Sequence, residues 1–442
     1  MINNLDTKKD LPFGEKALRT QPLSAFKNPG IERETRARGA LAFGISMLLL
    51  GYGLTETAAS SLTILLIGAS GLLLISIGAS DTGRVLVLLI TISVPLLSVQ
   101  VGWDTRAAAL IPLGVIYFDK RKTTSSIPGI SVPLLLGSAA VVVGASAFWA
   151  KLPDEAITGA QALALLTVAT AVVPRRVQLS NVVKAGLLWS GSLTAVGLIT
   201  IFAGLSFAER GGRGQGLLGN ANGAAIVALF LVCFALLLGR RHLVWALPLA
   251  VSAIALAQSR AAALSLIVLL SVVTFGYLRH KVGVLPSLIF LSPLLVLSFL
   301  FTSAALSTGG GEGLLRTNDS REDTWEILVN NFQQAPLTGF GWGNQTAGAE
   351  NFFLAMPAQL GVMGIALAIG AVLVLFNSLR SLSIPGLAIA LAVVVNSVFE
   401  GWLLVGGSAY AWVTWLLVAT SSGMISAKRN STSRPTEANS RL

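Results

Sequence analysis

Three arginines in this chain stand where a phosphate or carboxylate ligand could be held, because the guanidinium fork pairs bidentately with such groups. Arg213 lies in RGQGLLGNAN, residues 213–222, whose glycines let backbone approach a ligand closely. Arg210 precedes it, and Asn220 and Asn222 sit at the mouth of the next apolar run, where a helix N-terminus favours anions. The plainer reading of the same segment is an arginine facing lipid headgroups from a flexible loop. Arg260 follows Ser259 between two apolar runs in LAQSRAAALSL. It either caps a short outer turn, snorkels at an interface, or lies slightly inside a membrane and faces a cavity. Arg321 lies in SREDTWEIL, where a salt-bridge network with Glu322 and Asp323 is the local reading.

A general base is also available. Glu350 and Asn351 open the long run AENFFLAMPAQLGVMG. A carboxylate at the mouth of a membrane cavity has its pKa raised by desolvation, which suits proton abstraction near neutral pH. The alternative is an ordinary acid at a helix N-terminus, favoured by the macrodipole. Glu400, before Gly401 and Trp402, is a second carboxylate of this kind, and Trp402, Trp412 and Trp415 are belt or packing residues. Asp319, Glu322 and Asp323 lack the spacing of a calcium loop, so no metal site is expected. The two histidines, His242 and His280, lie among basic residues at the opposite face, so chemistry near the arginines proceeds without them. The single cysteine, Cys233, sits inside an apolar run as small hydrophobic filler.

The elements that must position these residues follow from composition. Of 442 residues, 54% are hydrophobic and only 12% charged, and mean hydropathy is +0.76. A soluble domain carries about 25% charged residues. The chain is therefore an all-α polytopic membrane protein, which excludes a large soluble enzyme, a disordered protein and a nucleic-acid-binding module. Helices of roughly 20 apolar residues cross the hydrocarbon. Runs of that kind lie near 39–54, 57–79, 84–102, 105–118, 127–149, 157–174, 185–205, 221–239, 243–258, 261–278, 283–304, 351–376, 384–400 and 404–426. The reading is about 14 spans (range 12–14), the runs at 105–118 and 243–258 being short enough for tilted or half-inserted segments. Residues 1–38 and 427–442 read as polar cytoplasmic tails around a transmembrane domain at 39–426, with no cleavable signal peptide ahead of the first apolar run.

The positive-inside rule orients this domain. With a cytoplasmic N-terminus, inner loops and tails hold 24 of the 31 basic residues, and most acids outside the tails fall on the outer face. The net charge of +11 is thus mainly an orientation signal. Arg210, Arg213, Arg260 and Arg321 stand on the outer face against that rule. Two outer loops are long enough to carry a site, 206–220 and 305–350, and the second contains a helix expected at 319–333 with Asp319 and Glu322 at capping-box spacing.

Four segments in order, RGQGLLGNANGAA at 213–225, QSRAAAL at 258–264, SREDTWEILVNNFQQAPLTGFGWG at 320–343 and ENFFLAMPAQLGVMG at 350–364, resemble the O-antigen ligase/polymerase family. The resemblance covers roughly residues 205–365. It implies a membrane glycosyltransferase, with a GT-C-like architecture possible, working on the outer face of the bacterial cytoplasmic membrane. Undecaprenyl-diphosphate-linked oligosaccharide would be the donor and a glycan or other hydroxyl the acceptor, with no metal and no other cofactor. Arg213, Arg260 and Arg321 match the family's arginines, the first two its diphosphate-binding pair, and Arg210, Asn220, Asn222 and Asn351 are secondary candidates. The chain departs from the family at 350, where many ligases carry His and this chain carries Glu. Glu350 as base predicts direct attack and inversion. Polymerisation of a surface polysaccharide is the favoured activity, with ligation to another acceptor as the alternative. A peptidoglycan glycosyltransferase is a third option whose motifs are not found. A transporter or lipid flippase is the reading from another class, and it predicts ionisable residues at mid-membrane where this chain places them at outer helix ends.

Overall fold

The structure, a computed structural model, describes residues 84–93, 110–118, 131–204, 214–215, 218, 220–283, 321–343 and 351–432. Among the described residues the chain is helical, with no strand. Short apolar helices come first: α1 (Arg84–Ser93), α2 (Leu110–Phe118) and α3 (Ser131–Ser146). Five longer ones follow: α4 (Pro153–Arg176), α5 (Leu179–Phe202), α6 (Ala221–Leu238), α7 (Arg240–Ala257) and α8 (Arg260–Val282). The chain ends in α9 (Arg321–Gln334), α10 (Phe352–Leu379), α11 (Ser383–Phe399) and α12 (Ala409–Thr432).

Helices α4 to α8, and the hairpin of α10 and α11, are long and apolar enough to cross a membrane. The run at 243–258, short in the sequence, belongs to an 18-residue helix of that class because α7 starts three residues earlier at Arg240. The expected spans at 39–54, 57–79 and 283–304 lie outside the described residues. So do both tails, except that α12 continues to Thr432, into the segment assigned to the C-terminal tail.

The core sits around α6. Thirteen of its 18 residues are buried, between α5 and α7 and against α8 and α11. Its run from Ile226 to Ala235 holds no polar side chain except Cys233, which is fully packed. A helix apolar all round is a buried helix, and α6 is one. The outer layer shows the reverse pattern. Val141, Ile199, Phe202, Val244 and Leu373 are each more than 60% exposed. Such a surface is stable against lipid tails and unfavourable against water.

The run expected as a helix from 404 breaks this regularity, since α12 begins only at Ala409. The connection from Glu400 to Ser408 is irregular, yet Trp402, Leu403, Leu404 and Gly406 are buried. A Cβ on Gly406 would strike the backbone of Ala162 and Leu163, about 14 Å along α4 from its first residue at 1.5 Å per residue. Irregular backbone at such depth needs partners inside the protein. Trp412 Nε1 donates to the Gly406 carbonyl at 2.7 Å, Trp415 Nε1 to the Leu403 carbonyl at 2.7 Å, and Trp402 Nε1 to Asn396 Oδ1 at 2.8 Å. Of the two readings open for these tryptophans, packing is the one observed.

Candidate functional site

Four helix starts gather at one end of the bundle. The start of α6 meets the start of α12, because a Cβ on Gly223 would collide with the Tyr410 hydroxyl. The end of α11 meets α9 through Trp325 and Phe399, whose rings are 6.4 Å apart. Helix α9 rests on the first turns of α10, where Leu328 packs against Leu354, Ala355 and Ala358.

The starts of α6, α8 and α10 are each closed by a side-chain oxygen. Asn220 Oδ1 accepts from the Asn222 and Gly223 N–H groups at 2.9 and 3.3 Å. Ser259 Oγ accepts from Ala262 N–H at 3.5 Å, and Asn351 Oδ1 accepts from the Phe353 and Leu354 N–H groups at 2.9 and 3.1 Å. Asn220 and Asn351, two of the secondary candidates, are therefore N-caps, as the preference for Asn at that position leads one to expect. Asn222 is the second residue of α6 and is half-buried.

Arg260 is the first residue of α8 and is half-buried, directly after a turn in which Gln258 takes a left-handed conformation (φ 50°). The last turn of α7, just before it, receives Gly214. Gly214 N–H donates to the Leu256 carbonyl at 2.9 Å, and a Cβ on Gly214 would press on Ile201. Gly214 follows Arg213 in the sequence, and Leu256 lies four residues before Arg260. Arg213, Arg210 and Glu350 themselves lie outside the described residues, as do Asp319 and the side chain of Arg321. The helix expected at 319–333 is present as α9.

Between α9 and α10 the backbone does something that no residue-by-residue reading of the sequence indicated. Helix α10 is interrupted at Gly361 (φ 59°, ψ −142°). In an unbroken helix Val362 N–H would bond to the Ala358 carbonyl. Here Val362 N–H donates to the Pro336 carbonyl at 2.9 Å, and the Ala358 carbonyl accepts from Phe340 N–H at 3.1 Å. Gly341 N–H reaches the next carbonyl, Gln359, at 2.8 Å. One intrahelical bond is thus exchanged for bonds to the loop that follows α9. The exchange requires glycine on both sides. A Cβ on Gly339 (φ 64°) would strike the Gln359 carbonyl, and one on Gly361 would strike that of Leu337. The loop is anchored beyond α10 as well: Trp342 N–H donates to Ser146 Oγ at 3.1 Å, and the Trp342 indole lies on Gly159 of α4. The signal in the sequence was the pairing of PLTGFGWG with LGVMG, which is a contact between two glycine motifs.

Residues 245–369 match the O-antigen ligase family. The likeness is carried by this segment. The matched stretch of the O-antigen ligase family holds Arg260, Arg321, Glu350 and both halves of the glycine contact, while Arg210, Arg213, Asn220 and Asn222 precede it. No curated protein matches the chain. Among the described residues no group of three His, Cys, Asp or Glu side chains is arranged to hold a metal ion.

Proposed function

We propose that this integral membrane protein transfers glycan from an undecaprenyl-diphosphate donor to a hydroxyl acceptor on the outer face of the bacterial cytoplasmic membrane, both termini being cytoplasmic. The carrying observation is the bond from Gly214, next in the sequence to Arg213, to Leu256, four residues before Arg260 in the segment that matches the O-antigen ligase family. In the leaving group, charge develops on a diphosphate oxygen. A preorganised cation stabilises that charge more in the transition state than in the ground state. Arg213 and Arg260 hold the diphosphate in this reading, with Arg321 as a third positive group and Arg210 nearby.

Glu350 takes the proton from the acceptor hydroxyl as its oxygen attacks the anomeric carbon. The C–O bond to the diphosphate breaks, and the anomeric configuration inverts. Asn351, next in the sequence, caps α10 and so fixes where that helix starts. A leaving diphosphate departs as an anion, so no proton need be delivered to it and no metal or other cofactor is invoked. Polymerisation of a surface polysaccharide remains the preferred activity within the class. The test supplies purified protein with extracted lipid-linked glycan. Longer chains on the same lipid establish polymerisation, movement to a new acceptor establishes ligation, and an unchanged donor overturns the proposal.

A further inference from the structure

The end of the bundle opposite the glycine motifs carries a second concentration of charge. Helix α7 begins there with Arg240 and Arg241, and α8 ends there with Arg279 and Lys281. Neither helix contains an acidic residue. Two of the cations converge on one ring: the Arg240 guanidinium lies 5.0 Å from the Tyr277 centroid and the Lys281 ammonium 4.8 Å. Tyr277 is 43% exposed, and both cations are open to the surroundings.

An aromatic face attracts one cation readily. A second cation on the same ring is repelled by the first, and a shared anion removes that repulsion. The first turn of α7 has no side-chain cap, and of its N–H groups that of His242 donates to the Gly239 carbonyl at 3.0 Å. The ring itself is suited to headgroup depth, where a tyrosine keeps its body apolar and its hydroxyl wet.

We propose that Arg240, Tyr277 and Lys281 form a binding site for the phosphate of an anionic phospholipid, seated between α7 and α8 at the end of the bundle remote from the transfer site. The lipid tail then lies along the exposed apolar side of α7, where Val244 and Trp245 are uncovered. This site depends on the membrane setting of the protein and not on the transfer chemistry, so either can fail without the other.

The test uses full-length protein, delipidated in detergent and titrated with phosphatidylglycerol or phosphatidylcholine, with binding read by native mass spectrometry. The expected result is preference for phosphatidylglycerol, weakened about tenfold or more in the Arg240→Gln, Lys281→Gln double variant. The charge-matched control Arg241→Gln, Arg279→Gln removes two neighbouring cations and should retain the lipid. Three results overturn the proposal: equal binding of the two lipids by the unmodified protein, undiminished binding by the first double variant, or equal loss in the control. Inorganic phosphate at millimolar excess is expected to leave the lipid in place, and full displacement by it would overturn the assignment to a lipid.

Discussion

A side-chain oxygen closes the first turn of α6, α8 and α10, and this separates residues that position from residues that react. Asn351 is a positioning residue whose neighbour Glu350 is the proposed base. Replacing Asn351 with Ala removes both accepted bonds and is expected to cost about 1 kcal/mol of stability, read as a lowered melting temperature in detergent. Asn351→Asp keeps an acceptor and should restore it. Glu350→Gln, in contrast, should abolish transfer with lipid-donor binding largely intact, and full activity in that variant would remove Glu350 from the mechanism. Arg213→Lys and Arg260→Lys should each slow turnover, since an ammonium is a point charge and cannot reproduce the fork. Near-normal rates in both would leave the diphosphate clamp without support. The caps were legible by residue type, as Asn and Ser before apolar runs. Their role was not, because a cap and an anion-binding asparagine have the same sequence signature.

The contact between the 336–343 loop and the break in α10 belongs to the scale of elements. Pro336, Phe340 and Gly341 supply what a helix would otherwise supply to itself, so the break in α10 and the path of the loop depend on each other. Gly361→Ala and Gly339→Ala each place a Cβ on a carbonyl and hold a non-glycine residue at positive φ. Strain alone costs about 1–3 kcal/mol at such a position, and the collision adds to it. Both variants should lower the thermal midpoint and the transfer rate together. A variant active at full rate and normally stable would show that the exchange of hydrogen bonds is dispensable. Helix existence here was readable from apolar runs, and α9 from its polar turn and capping pattern. The break at Gly361 was not, since a glycine inside a long apolar run is read as a tolerated helix residue until a partner backbone, Leu337, is brought to it from 24 residues upstream. The run at 404–426 hid a similar surprise: its first five residues, Leu404 to Ser408, are irregular, with the Trp412 indole satisfying the Gly406 carbonyl among them.

For the whole molecule, the positive-inside arrangement predicts which ends face which side. In a Cys233→Ala background, Phe148→Cys should react with a membrane-impermeant thiol reagent added to intact cells, and Arg241→Cys only after permeabilisation. The opposite labelling would invert the topology and with it the face on which transfer occurs. Cys233 itself, buried in α6, should stay unreactive until the protein unfolds. Trp415→Phe leaves the Leu403 carbonyl buried without its donor, a loss of about 1–3 kcal/mol, and should release the 400–408 segment to added protease in detergent. That segment has a further consequence in time. It is made well after its support, since the backbone it rests on, at Ala162 and Leu163, was made some 240 residues earlier. A chain emerging from the ribosome must therefore keep a place open beside α4 while the intervening helices insert. A protein arrested before residue 400 should be handed to quality control with that place beside α4 still open.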